Sequence, residues 1–103
     1  MTDYFEAPRR VIARKPHLCD SCLEWINAGE PYYTQFQVHG GRAGRWKEHV
    51  ACRAATYLVA AYLPHSDLVE HGMPRVCDME EEDRDIVLAD APETYAAIWG
   101  GAR

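Results

Sequence analysis

The 103-residue chain lacks an apolar run long enough to cross a bilayer. Its longest uncharged apolar stretch, Ala54 to Leu63, is ten residues interrupted by Thr56, half of the roughly 20 that a spanning helix requires. It also lacks an apolar opening segment of the signal-peptide kind, since Met1-Thr2-Asp3-Tyr4-Phe5-Glu6 holds two acids, so the expectation is an intracellular, cytoplasmic protein with no membrane association. There is no internal repeat, no Gly/Ser linker and no low-complexity segment beyond Glu80-Glu81-Glu82, which leaves no place to separate two domains. Positive charge is scarce: 11 Lys and Arg face 16 Asp and Glu, a net charge of −5. That balance argues against a protein that coats nucleic acid by bulk charge. No βαβ pattern surrounds the cysteines and no serine or cysteine triad is evident, which removes the signals of a thioredoxin-like oxidoreductase and of a triad hydrolase.

What is present is a modest core. Apolar residues make up 48% of the chain, too many for a disordered or collagen-like protein. Ordering about a hundred residues costs on the order of 100–200 kcal/mol of conformational entropy, so a domain this small gains from a cross-link. The sequence offers four Cys and five His. In a reducing compartment, cysteines two residues apart point to metal or redox chemistry rather than to a structural disulfide.

Charge is divided unevenly about Pro64, with +2 over residues 1–64 and −7 over residues 65–103. Arg10 to Arg14 reads as a short strand. Pro31 to Val38 is a stronger one, because Tyr32, Thr34, Phe36 and Val38 alternate with Tyr33, Gln35 and Gln37. His39-Gly40-Gly41-Arg42-Ala43-Gly44 supplies a hairpin turn and Arg45-Trp46-Lys47-Glu48 the returning strand. From His49 to Leu63 the period becomes helical, with Val50, Ala54, Tyr57, Leu58, Ala61 and Tyr62 as the inward stripe and Pro64 as the stop. Ser66 to Gly72 forms one further turn. Met79 to Ala89 is a second helix with its acidic run at the favourable end of the dipole. Asp90-Ala91-Pro92-Glu93 has capping-box spacing and opens a last helix with Tyr95, Ile98 and Trp99 inward and Gly100-Gly101 at its end.

The most informative residues are His17-Leu18-Cys19-Asp20-Ser21-Cys22 and, after a gap of 26, His49-Val50-Ala51-Cys52. A C-x2-C turn aims two thiolates at one ion, and His49 and Cys52, three apart, share one face of a helix's first turn. Cys19, Cys22, His49 and Cys52 therefore form a candidate Cys₃His site for one Zn²⁺. Zinc is borderline-soft and accepts thiolate and imidazole in a tetrahedron. With four protein ligands the shell is closed and the metal structural. Alternative ligands are His17, two residues before Cys19, and Cys77, whose simpler reading is a buried small hydrophobe.

The order of knuckle, hairpin and helix carrying the last two ligands is that of a treble-clef zinc finger. This arrangement, with a Trp before H-x2-C, resembles the fingers of poly(ADP-ribose) polymerase type and the first half of a LIM domain. It also resembles small uncharacterised zinc-knuckle proteins of actinobacteria and their phages, which share the H-x-C-D-x-C, I-x-x-G-E and H-x-x-C layout seen at His17 to Cys22, Ile26 to Glu30 and His49 to Cys52. The resemblance covers about a third of the chain and implies a zinc site and a phage or prophage context. Leu23 stands where many knuckles have Gly, and the acidic helical tail has no counterpart in the polymerase or LIM fingers.

The expected fold is thus α+β: a treble-clef unit over residues 1–64 and an acidic helical extension, 65–103, packed on it in one domain. The expected role is a non-enzymatic, zinc-binding interaction or regulatory protein with a protein partner. Asp78, Glu80, Glu81, Glu82, Asp83 and Asp85 form a candidate acidic partner-binding patch, set against the ordinary reading of a solvated helix start. The alternative is nucleic-acid binding through the hairpin, using Arg42, Arg45, Trp46 and Lys47 with Arg9, Arg10, Arg14 and Lys15 upstream. A third reading, a His-Me type nuclease with His39 as base, needs an open metal position that His49 as a structural ligand would not leave.

Overall fold

The computed structural model describes residues 4–100. It is an α+β protein with antiparallel sheets and, among the described residues, four α-helices. The chain divides into two units, Met1–Val50 and Ala51–Arg103.

In the first unit β1 (Tyr4–Phe5), β2 (Arg9–Ile12), β5 (Pro31–His39) and β6 (Arg42–His49) form an antiparallel sheet centred on β5. The β-branched and aromatic residues of 31–38 suit the central strand. β6 pairs along the whole of one edge, from Tyr32 opposite His49 to His39 opposite Arg42. The two-residue turn, Gly40 (φ 59°) and Gly41 (φ 81°), has the positive φ at both positions that a tight hairpin of this twist demands. The strand read as Arg45 to Glu48 is therefore longer at both ends.

The other edge of β5 is shared by β1, opposite Gln37 and Val38, and β2, opposite Pro31 to Thr34. Pro8 lies in the gap between them and has no N–H to give a ladder. Glu6 bridges the gap. Its N–H donates to the Phe36 carbonyl at 3.0 Å and its carboxylate accepts the Phe36 N–H at 2.8 Å, replacing the missing strand carbonyl. Arg45 adds a 3.0 Å ion pair to the same oxygen. These contacts hold the Glu6 carboxyl below its ordinary pKa, the Phe36 N–H contributing most and Arg45 and Arg9 adding to it.

A separate two-stranded ribbon, β3 (His17–Leu18) and β4 (Trp25–Ile26), carries the first cysteine pair in its loop. Leu23 closes that loop at φ 65°, a left-handed conformation usually left to glycine, while half exposed. The Cys19 N–H bonds to the Glu24 carbonyl and the Leu23 N–H to that of Cys19. Asp20 is tied to Lys47 twice, its N–H to the Lys47 carbonyl and its carboxylate to the Lys47 N–H, each at 2.8 Å. Ala13, Cys19, Ser21, Ile26, Tyr32 and Thr34 are buried.

α1 (Val50–Ala60) begins at the last residue of the first unit and runs on through the second. His49 is the end of β6 rather than the first residue of the helix, because its pairing with Tyr32 keeps it in the sheet. The buried face is Cys52, Ala55, Thr56, Val59 and Ala60, while Ala54, Tyr57, Ala61 and Tyr62 are exposed. That corrects the expected stripe. Both sets have three- and four-residue spacing, and the face that Cys52 belongs to is the one turned inward.

The second unit continues with α2 (His65–His71), a 3-10 turn at Val76–Asp78, α3 (Glu81–Asp90) and α4 (Pro92–Trp99). Val76, Met79, Val87 and Tyr95 are buried there. The Asp83 carboxylate accepts the Glu80 N–H at 3.1 Å, the returning arm of a capping box at the start of α3. The box expected at Asp90 to Glu93 does not form. Asp90 stays in the last turn of α3 and accepts the Tyr62 hydroxyl at 3.2 Å, while Pro92 occupies the first position of α4. Arg84 lies over the Trp99 ring at 5.3 Å, and Gly100 ends α4 at φ 92°. Gly101 lies outside the described residues, as do Met1 to Asp3.

Candidate metal centre

The ligand atoms of Cys19, Cys22, His49 and Cys52 all lie within 4.8 Å of one another. The knuckle loop supplies the first two, the end of β6 the third and the first turn of α1 the fourth. Cys19 and Cys52 are fully buried, and Cys22 and His49 partly so. None of the four cysteines in the chain is disulfide-bonded. Such a cluster can hold one metal ion.

Hydrogen bonds prepare the donors. The Cys22 N–H points at the Cys19 sulfur, 3.5 Å away, a contact that favours the thiolate. His49 Nε2 lies 3.0 Å from the Trp25 carbonyl oxygen, which can only accept, so the ring proton sits on Nε2. The lone pair of Nδ1 is then left toward Cys22 Sγ at 3.4 Å. A metal-bound imidazole ordinarily gives its other N–H to a carbonyl or carboxylate in this way. With zinc bonds of about 2.0–2.1 Å to nitrogen and 2.3 Å to sulfur, two tetrahedral ligands sit about 3.6 Å apart, close to the spacing observed.

His17 and Cys77 do not belong to the cluster. The His17 Nδ1 lies 3.3 Å from Lys47 Nζ, and its ring packs against Tyr32 with centroids 5.3 Å apart. Burial first, then the charges of Lys47 and Lys15, hold the His17 pKa below its ordinary value. Cys77 is exposed in the 3-10 turn, which overturns its reading as a buried residue.

The hairpin cations are partly engaged within the sheet. Arg45 pairs with Glu6 and lies over the Phe36 ring at 5.7 Å, Lys47 faces His17, Trp46 is half-buried and Arg42 is exposed. His39 packs its ring against Phe5 at 6.2 Å. In the acidic run, Asp78 bonds Arg75 at 3.2 Å and Asp83 caps α3, while Glu80, Glu81, Glu82 and Asp85 stay exposed. Composition singled out neither the apolar surface of the knuckle nor the cleft beside it. Leu18 and Trp25, opposite each other in the ribbon, and Leu23 in its loop are each about half exposed or more. No helix of the described residues is long and apolar enough to cross a membrane. Compared with protein-family models, curated proteins and solved structures, the chain gives no match.

Proposed function

We propose that the four residues bind one structural Zn²⁺ and that the chain is a non-enzymatic, zinc-stabilised module of treble-clef type. It acts inside the cell as a binding or regulatory protein, akin to the zinc-knuckle proteins of actinobacteria and their phages. The observation that carries the zinc reading is the convergence of three cysteine sulfurs and one imidazole nitrogen within 4.8 Å. Three thiolates and a neutral imidazole suit a borderline-soft ion better than a hard cation, and four protein ligands leave no position for a reacting water.

The partner in this reading is another protein. Leu18, Leu23 and Trp25 put exposed apolar area on one small ribbon, and Leu23 holds a conformation that costs a leucine energy. Strain kept at an exposed apolar residue is characteristic of surfaces that bind. Chelation of the metal tests the foundation: the circular dichroism of the chain should fall and recover with one equivalent of zinc. A chain that folds equally well without metal overturns it. Leu18→Asp and Trp25→Asp should retain the metal and lose partner binding.

A further inference from the structure

We infer that the cleft between β2 and the His17 segment binds a nucleotide unit, through a phosphate and a planar base. The cleft has a volume of about 940 Å³ and is lined by Val11, Ile12, Arg14, Lys15, His17 and Tyr32. It is an open surface cleft rather than an enclosed cavity, so a ligand would lie against its floor with one side in solvent. The inference stands apart from the zinc reading, since none of these residues belongs to the metal cluster.

The lining has two kinds of surface. Val11 and Tyr32 are cross-strand partners and form an apolar floor, which Ile12 extends. The His17 ring, tilted 41° to Tyr32, makes a flat aromatic wall. Against this carbon surface stand Arg14 and Lys15, both exposed, and Lys47, whose Nζ reaches His17 Nδ1. Arg14 and Lys15 line the cleft and Lys47 lies beside it, in the half of the chain that carries a net charge of +2. Of the nearby carboxylates, Asp20 accepts the Lys47 N–H and Glu30 the Asn27 N–H, and both keep their charge. Arg14 and Lys15 are solvated at the surface, where an anionic group would meet them with charge-assisted hydrogen bonds.

A simple inorganic anion would leave the floor and the aromatic wall wet, and an apolar ligand would make no use of the cations beside them. A nucleotide satisfies both: the base lies on the apolar floor against His17 and the phosphate meets Arg14, Lys15 and Lys47. The unit can be a free nucleotide or one residue of a single strand, since the recognised chemistry is the same.

The test titrates the zinc-loaded full chain with adenosine monophosphate, adenosine, pyrophosphate and a short single-stranded oligonucleotide, following backbone amide shifts by NMR. Saturable binding of the monophosphate identifies a free nucleotide, and saturation by the oligonucleotide alone identifies a strand. In both cases the shifts should centre on Val11 to His17 and Tyr32, and adenosine and pyrophosphate should each bind more weakly. Arg14→Gln with Lys15→Gln should weaken binding about tenfold or more, as loss of charge-assisted hydrogen bonds does. For an oligonucleotide meeting three cations, log affinity should fall with log salt at a slope of about −2. The inference is overturned by absence of saturation at millimolar ligand, by adenosine binding as well as the monophosphate, or by an unchanged affinity in the double variant. Shifts confined to the Arg42–Gly44 hairpin end would overturn it too.

Discussion

The Nε2 of His49 donates to the Trp25 carbonyl at 3.0 Å, and the opposite nitrogen of the same ring lies 3.4 Å from the Cys22 sulfur. One hydrogen bond thereby sets the tautomer, and the tautomer sets which nitrogen can reach a metal. The carbonyl belongs to β4 and the histidine to β6, so this bond ties the knuckle to the hairpin at the metal-ligating residue.

Leu23→Gly should stabilise the zinc-bound chain. A left-handed conformation costs an L-residue about 1–2 kcal/mol, while glycine loses about 0.5–1 kcal/mol in extra chain entropy. Half-exposed Leu23 has little burial to lose, so the net gain is about 0.5–1 kcal/mol. Leu23→Val, β-branched, should do the opposite. Urea midpoints of the two variants measure both effects, and a lower midpoint for Leu23→Gly would show that the leucine side chain is held by packing.

Glu6 makes stability depend on acid. Its carboxyl is held below the ordinary range chiefly by the Phe36 N–H, then by Arg45. The stabilisation is therefore fully present above the usual glutamate pKa and lost as pH falls through the lowered one. The wild-type chain should melt above Glu6→Gln at neutral pH, and the difference should close in strongly acidic buffer. A gap between the two melting curves that is independent of pH would exclude the ionised carboxylate as its source.

Asp83→Ala should cost about 0.5–1 kcal/mol, the loss of one arm of a capping box, because Asp83 at the third helical position accepts the N–H of the N-cap residue Glu80. Glu93→Ala should cost much less, since the cap expected at Asp90 to Glu93 is not made. Thermal unfolding of the pair distinguishes them, and equal losses would contradict the assignment.

These two segments also show what the sequence makes legible. Both carry acid spacing suited to a cap, but Tyr62 draws Asp90 into a tertiary hydrogen bond that spacing does not reveal. The hairpin could be read because Gly40 and Gly41 permit a turn few other residues allow, and because Tyr32 to Val38 alternate cleanly. The four ligand candidates could be read from two short spacings. The face of α1 could not: two overlapping stripes have helical period, and Cys52 belongs to the buried one. β1 and β4, two residues each, are too short for any periodicity, and each exists through its partner strand. Nor does composition reveal the cleft, since Val11, His17 and Tyr32 meet only once β2 and β5 pair and the knuckle folds back.

The account depends most directly on the metal. Elemental analysis of the purified full-length chain, with titration of its accessible thiols, should find one zinc per chain. Cys19→Ser and Cys52→Ser should lose it together with most of the folded signal, since structural zinc in small domains contributes on the order of 10 kcal/mol of apparent free energy. His17→Ala and Cys77→Ser, outside the cluster, should keep it. A chain without stoichiometric metal, or one that keeps its zinc and its fold after Cys19→Ser and Cys52→Ser, would contradict the account.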